Sequence, residues 1–290
     1  MALMSATLAI VGAGRVGRTL GHKLRELGWS IGPVVTRSAA TARAAVRAIG
    51  AGTPHSGLTR QVLAADIVLL ATPDHAVADV AARLARQGGE EWRGRVVLHT
   101  SGSLSRDALQ PLERCGASTG SMHPMQTFSG RGRTELEGVI FGIDGDARAL
   151  RMARQMARTL GGVPVVVDGA NRVAYHAAGG FAAQHVLSVM EAGTRILMRA
   201  GFTRRQASRA LMNLARQTLD NFERLGPRAA WTGPLARGDF GTVTKHMAAL
   251  RRFPREYRAV YVALTRLATQ LLVGRDGRTR RKLARILGKN

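Results

Sequence analysis

The residues best suited to chemistry stand near the start of the chain, in Leu8-Ala-Ile-Val-Gly-Ala-Gly-Arg-Val-Gly17. The spacing Gly12-x-Gly14-x-x-Gly17 follows a short apolar run and precedes a helical pattern through Leu20, Leu24 and Leu27. In such a turn the first glycine permits a tight bend and the second lets the main chain approach a pyrophosphate. The third lets the helix pack close to the strand. Free N–H groups and the positive dipole end of that helix then favour phosphate. Gly12, Gly14 and Gly17, with Arg15 and Val16 between them, are therefore candidate dinucleotide-binding residues.

The second strand of such a unit selects the dinucleotide. An acid about 20 residues past the glycines binds the ribose 2′-hydroxyl of NAD, whereas an arginine accommodates the 2′-phosphate of NADP. Here residues 31–35 read as that strand, Thr36-Arg37-Ser38 follows, and no carboxylate lies between Glu26 and Asp66. A guanidinium flanked by two hydroxyls suits a phosphate dianion, so the expected cofactor is NADP(H). The alternative is that Arg37 is one of many surface arginines. Thr72 and Pro73, which end a later strand, are assigned to the same cofactor edge.

The elements that must position these residues alternate. Residues 39–49 read as a helix, 66–70 as a strand ending at Thr72-Pro73, and 74–85 as a helix opened by a capping acid, Asp74. Residues 95–99 form a strand running into a polar loop, and 139–143 and 163–167 form strands around a helix at 146–160. This alternation predicts an α/β Rossmann-type, doubly wound parallel sheet. From Asn171 onward helical periodicity takes over, at about 172–200, 203–225, 242–250 and 254–272. The expected organisation is an NADP-binding domain over residues 1–168 and an all-α domain over 169–290. Ligands of open parallel sheets bind beyond the carboxyl ends of the strands. The loops after Pro73, His99 and Met122 are thus expected to face the glycines' crevice.

Composition narrows the function classes. A 290-residue chain with 45% hydrophobic residues can bury a substantial core, and no apolar run is long enough to span a membrane. The opening residues lack the basic leader and cleavage pattern of a signal peptide. The single cysteine, Cys115, leaves no intrachain disulfide, so a cytoplasmic location is expected. Net charge is +24, but lysine occurs only at positions 23, 245, 282 and 289, and the arginines are spread throughout. The densest basic stretch, residues 275–289 with Arg278, Arg280, Arg281, Lys282 and Arg285, has no interleaved aromatic side chains for base stacking. It reads as a solvated helix rather than a nucleic-acid arm. No Cys/His spacing suggests a metal, and no G-x-S-x-G or P-loop motif is present.

Four further motifs carry a resemblance. His99-Thr-Ser-Gly102, Gly120-Ser-Met-His-Pro-Met-Gln-Thr-Phe128, Tyr175-His-Ala-Ala178 and Thr232-Gly-Pro-Leu-Ala-Arg-Gly-Asp239, with Thr242, Val243 and His246 beyond it, resemble the Rossmann-like proteins with a DUF2520 C-terminal domain. With the glycine turn they cover most of the chain in order. The resemblance places the chain among 6-phosphogluconate-dehydrogenase-like oxidoreductases, whose relatives include ketopantoate, pyrroline-5-carboxylate and prephenate enzymes. It implies an NADPH-dependent reductase of a small carboxylate-bearing carbonyl compound, with ketopantoate as the specific expectation, paired as a homodimer through its helices. Imine reduction, a prephenate-like dehydrogenation and a non-catalytic NADP-binding sensor are the alternatives. One departure stands at Gln184, where the family pattern leads to an asparagine.

Carbonyl reduction needs a proton donor, donors for the developing alkoxide and a group that holds a substrate carboxylate. His176 with Tyr175 is the leading acid pair, because imidazole titrates near neutral pH. Positions 176, 180 and 184 recur every four residues, which puts His176 and Gln184 on one helix face with Gly180 between. The alternative for His176 is a histidine packed at a domain interface. His123 lies in a His-Pro loop after a short strand, and its alternative is a structural loop histidine. Ser101 and Gly102 offer a hydroxyl and an amide to the substrate, or form a simple turn. Thr232, Arg237, Asp239 and Lys245 are substrate-binding candidates; Asp239 equally suits the cap of a helix beginning near Thr242, and Lys245 an ordinary exposed lysine.

Overall fold

The computed structural model describes residues 6–130 and 134–272, together with 281, 283 and 285–287. The basic stretch at 275–289 lies outside the described residues except for positions 281, 283 and 285–287, of which Arg281 and Arg285 are basic. In chain order the first unit runs β1 (Thr7–Val11), α1 (Arg15–Glu26), β2 (Ser30–Thr36), α2 (Ala39–Ile49), β3 (Thr53–Ser56), β4 (Ile67–Leu70) and α3 (Asp74–Gly88). It continues with β5 (Val96–His99), α4 (Gln110–Glu113), β6 (Ser118–Pro124), β7 (Ile140–Gly145), α5 (Ala147–Thr159), β8 (Val163–Val166) and α6 (Arg172–Ala182).

The strands form one eight-stranded sheet in the order β3-β2-β1-β4-β5-β6-β7-β8. All neighbours are parallel except β6 and β7. Continuous apolar runs suit strands buried on both faces, and Leu8 to Val11 behave that way. Leu8 and Ile10 pack on the side covered by Leu20 and Leu24 of α1, Ile49 of α2 and Met156 of α5. Ala9 and Val11 pack on the side covered by Val77, Ala81 and Leu84 of α3 and Leu112 of α4. This is the doubly wound α/β fold expected, with one antiparallel pair inside it. The short strand β3, whose Thr-Pro-His-Ser residues are exposed or half-buried, has no apolar run to announce it.

The chain reverses direction across the sheet between β1 and β4, so the loops that leave those two strands meet at the topological switch point. There a side chain on Gly12 would sit 2.7 Å from the main chain of Ala71 and Thr72. Gly12 also has φ +89°, a backbone region that side-chain-bearing residues rarely enter.

Two compact units divide the chain between Ala183 and Gln184. The last strand ends at Val166, close to where the sequence pattern changes, but α6 clusters with the sheet rather than with the helices after it. Arg172, the first residue of α6, explains this: its guanidinium bonds to main-chain oxygens of Ser101, Leu104 and Gly142 in the sheet unit.

The second unit contains α7 (Gln184–Arg199), α8 (Arg204–Ala230), α9 (Phe240–Ala249) and α10 (Arg255–Leu271), with no strand among its described residues. Gly193 lets α7 and α8 approach closely, since a Cβ there would lie 3.0 Å from Leu211. Thr203 and Gln206 close a capping box at the start of α8. Gly226 and Pro227 kink that helix. The continuous helix expected over 172–200 is instead broken at Ala183, where φ −110° and ψ −87° leave the helical region. The four-residue register expected to carry Gln184 onto the face of His176 and Gly180 is therefore interrupted.

Candidate functional site

At the glycine turn, the Gly12 N–H donates to Val35 O and the Gly14 N–H to Gly12 O, each at 2.9 Å. Gly14 is the cap residue of α1, and no side chain caps the helix start. A Cβ on Gly14 would meet nothing within 4 Å, whereas one on Gly17 would lie 2.7 Å from Gly12 O. The first glycine is thus required by conformation and the third by packing. The second leaves open space beside free helix N–H groups, which is what an approaching phosphate needs. Beside the turn, the Thr72 hydroxyl is buried and has no partner among the described residues. Pro73 is the cap of α3, and Asp74, expected as the capping acid, instead accepts a 2.7 Å bond from the Ser103 hydroxyl. Arg15 reaches toward Phe128 O, and Val16 is half-buried.

At the end of β2, the Thr36 hydroxyl donates to Ser38 O at 2.9 Å, and Ser38 caps α2 by accepting from Thr41 N. These bonds fix the turn that carries Arg37, whose side chain is exposed. The donors present therefore fit a dinucleotide bearing an extra phosphate.

A second group of side chains converges at the same carboxyl edge of the sheet. The loop after β5 is organised by Ser101, whose hydroxyl accepts from the N–H groups of Ser103 and Leu104, both at 3.2 Å. This turn presents Gly102 to two rings. A Cβ on Gly102 would lie 2.5 Å from His176 Cδ2 and 2.8 Å from His123 Nε2. His123 belongs to β6 itself rather than to a loop after it, because its pairing with Gly142 of β7 extends the strand to Pro124. Its Nδ1 is 3.0 Å from the Tyr175 hydroxyl. The His123 ring meets those of Tyr175 and His176 edge-to-face, with centroids 5.6 Å apart in each case. Gly142 makes room for this arrangement, since a Cβ there would lie 2.5 Å from the Tyr175 hydroxyl oxygen. His123, Tyr175, His176, Ser101 and Gly102 are thus brought together by β5, β6, β7 and α6.

Burial sets the protonation of this cluster. It is the largest influence on His123, followed by the neighbouring His176 and the Arg172 charge, and the pKa falls to about 4. His123 is a neutral imidazole at pH 7. Burial pushes the Tyr175 phenol up from its usual value, while the Arg172 charge and a Gly142 backbone hydrogen bond oppose that shift. His176 is exposed.

Three participants escape sequence reasoning. Arg172 is fully buried and lies under the Tyr175 ring, 5.7 Å from its centroid. His99 is also fully buried; its Nε2–H donates to Ser105 O at 3.0 Å, its Nδ1 has no partner among the described residues, and burial lowers its pKa to about 4. The Ser103–Asp74 bond joins the loop after β5 to the start of α3. The Tyr-His pair three residues on was the only nearby signal for Arg172, which is otherwise one arginine among many.

The remaining candidates belong to the second unit. Gln184 opens α7, and its side chain is exposed, as are those of Thr232, Arg237 and Lys245. Asp239 caps α9, accepting from Thr242 N at 3.0 Å and from the Thr242 hydroxyl at 2.7 Å; these bonds hold its pKa low. His246 Nδ1 lies 3.0 Å from the Tyr261 hydroxyl. No group of three or more potential metal-ligating side chains occurs among the described residues.

Comparison with known proteins agrees with this architecture. A Rossmann-like domain matches residues 3–124, and a domain of unknown function, DUF2520, matches residues 139–268. No curated protein matches the sequence. Among solved structures, protein BF3122 from Bacteroides fragilis is 22% identical, with a TM-score of 0.74 over 93% of this chain and 100% of its own. An imine reductase from Myxococcus stipitatus in complex with NADP+ is 19% identical, with a TM-score of 0.66 over 97% of this chain and 100% of its own. A reductive aminase from Aspergillus terreus, in complex with NADPH and ethyl-5-oxohexanoate, is 18% identical, with a TM-score of 0.65 over 97% of this chain and 98% of its own. At these identities the likeness is one of fold. With both of its domains matched, the chain belongs to the proteins that join a Rossmann-like domain to a DUF2520 domain.

Proposed function

We propose that this protein is an NADPH-dependent reductase of small carboxylate-bearing carbonyl compounds, with the 2-oxo acid ketopantoate as the first substrate to test. The observation that carries the reading is the convergence of His123, Tyr175 and His176 on Gly102, at the strand edge that also bears the open glycine turn. The solved structures in complex with NADP+ and NADPH support the cofactor assignment by likeness of fold.

In this reading the glycine turn and the start of α1 hold the pyrophosphate, and the free Thr72 hydroxyl adds a donor or acceptor beside it. Thr36, Arg37 and Ser38 hold the 2′-phosphate. Bound NADPH supplies the hydride for the carbonyl carbon. The Gly102 region binds the carbonyl, His176 delivers the proton to its oxygen, and the neutral His123 fixes the Tyr175 hydroxyl beside it. Among the described residues the two carboxylates nearest this cluster are both engaged, Asp74 by Ser103 and Asp144 by Arg106 N, which suits a substrate whose oxygen gains negative charge. The helical unit serves a homodimer: Leu187 on α7 and Leu214, Leu219 and Phe222 on α8 leave large apolar side chains exposed.

The test is NADPH oxidation by purified protein with ketopantoate, with NADH as the paired control and a cyclic imine as the competing substrate. Turnover with NADPH and ketopantoate is expected. It should fall at least about 100-fold in His176→Ala if that residue is the acid. Preference for the imine would move the reaction to C=N reduction. Tight NADPH binding without turnover of either substrate would favour the sensor. In Arg37→Ala, NADPH affinity should drop about 10- to 100-fold toward that of NADH, the worth of a charge-assisted phosphate contact.

A further inference from the structure

We propose that Arg172 is the positioning residue of this site, a buried clamp that holds the Tyr175–His123 pair in one fixed, hydrogen-bonded arrangement. Its three nitrogens each reach a main-chain oxygen: Nε to Leu104 at 3.1 Å, Nη1 to Gly142 at 3.2 Å and Nη2 to Ser101 at 2.9 Å. Those acceptors lie on the loop that presents Gly102 and on β7 opposite His123. The donor stands on the first turn of α6, three residues before Tyr175. One planar group therefore ties together the segments whose side chains form the cluster.

A guanidinium is suited to this because its fork is rigid and stays charged when buried. Taking a charge wholly out of water is costly: burial lowers the Arg172 pKa, Asp144 and the Tyr175 phenol oppose that from a distance, and no carboxylate lies within ion-pair reach of it among the described residues. A fully buried arginine bonded only to carbonyls is not what stability alone favours. A leucine or methionine could fill the same space, which makes fixed geometry the better account of it.

Second, the charge lies under the Tyr175 ring, and that ring's hydroxyl meets His123 Nδ1 at 3.0 Å. The charged and titratable groups acting on His123 are His176 and Arg172 of α6, Asp74 of α3 and His99 of β5. Of these, Arg172 alone combines a permanent charge with direct bonds to two of the site's supporting segments.

The role rests on the functional reading only in taking this pair to face the reacting group, and its test does not require turnover. Histidine-selective NMR of the full-length protein would follow the His123 ring in wild type, Arg172→Lys and Arg172→Gln, with thermal melts to verify folding. In wild type, His123 is expected to hold a single tautomer and titrate well below pH 5.5. In both folded variants the ring should lose that single tautomer, because neither lysine nor glutamine can reach all three oxygens. The titration midpoint should rise by about one unit or more in Arg172→Gln, where the charge is also gone, and by less in Arg172→Lys. Folded variants with an unchanged His123 tautomer and midpoint would overturn the clamp and leave the reductase reading standing. Should neither variant fold, hydrogen exchange at Arg172 Nε–H in the wild type decides. Protection comparable to the sheet amides is expected, and exchange as fast as an exposed arginine overturns the proposal.

Discussion

His123 Nδ1 and the Tyr175 hydroxyl meet at 3.0 Å across 52 residues of sequence, joining the end of β6 to the first turn of α6. This bond unites two elements that the chain makes far apart, and it does so with His123 uncharged. The same sheet face carries a second uncharged imidazole, His99, fully buried two strands' width from β7.

Neutral buried histidines make stability depend on pH. Both have folded-state pKa values of about 4, below the 6.5 of the unfolded chain. Between these values the unfolded state binds more protons, so stability rises with pH through that window and is lost on acidification. The penalty begins as pH falls through 6.5 and saturates below about 4. Each histidine contributes up to about 1.4 kcal/mol per pH unit, or about 2.7 for the pair. Urea denaturation at pH 7, 6 and 5 should show this decline, and His123→Gln should roughly halve the slope. Stability constant from pH 7 to 5 would mean that both imidazoles protonate in the fold as they do in the unfolded chain, whereas a halved slope would mean that one does.

Much of this was legible in the sequence because it depends on local signals. The glycine turn announces itself: Gly12 needs φ +89°, Gly17 needs close packing, and an apolar strand precedes them. Strands β1, β4 and β5 are continuous apolar runs, so a parallel, doubly covered sheet follows. What local signals miss is long-range. Arg172 becomes meaningful only when Ser101, Leu104 and Gly142 are folded against it, and an arginine-rich chain hides it. The break at Ala183 has no proline or acidic cap to mark it, and Ala-Ala-Gln reads as a good helix. The sequence reads His123 as part of a His-Pro loop, whereas pairing of His123 and Pro124 with Gly142 and Phe141 of antiparallel β7 carries the strand through both residues.

Gly102→Ala isolates the contact surface of the cluster. Gly102 does not adopt a positive φ, so alanine suits the backbone there. The new methyl would nevertheless sit 2.5 Å from His176 Cδ2 and 2.8 Å from His123 Nε2. His176 is exposed and can swing aside, but His123 is held by Tyr175. Overpacking of this kind costs about 1–3 kcal/mol, too little to unfold the domain. Displacing a catalytic ring by about 1 Å can cost about 100-fold in rate. The expected variant is folded, binds NADPH like the wild type and loses turnover. Unchanged kcat/KM would mean that Gly102 does not line the reacting space.

The glycine turn allows its packing and binding roles to be separated. Gly14→Val places a side chain where nothing lies within 4 Å, at a φ of −73° that valine can adopt. Its effect on stability should be no more than about 1 kcal/mol, the cost of a poorer helix cap. Gly12→Ala instead forces φ +89° and a 2.7 Å approach to the Ala71 and Thr72 main chain, so it should destabilise the domain by several kcal/mol. If the space over Gly14 is where the pyrophosphate lies, Gly14→Val will melt close to wild type yet bind NADPH at least about tenfold more weakly, because the backbone can no longer come close. Fluorescence titration of NADPH beside a melting curve reads both quantities on one sample. A Gly14→Val protein that binds NADPH normally would place the phosphates elsewhere and remove the structural basis for the cofactor assignment.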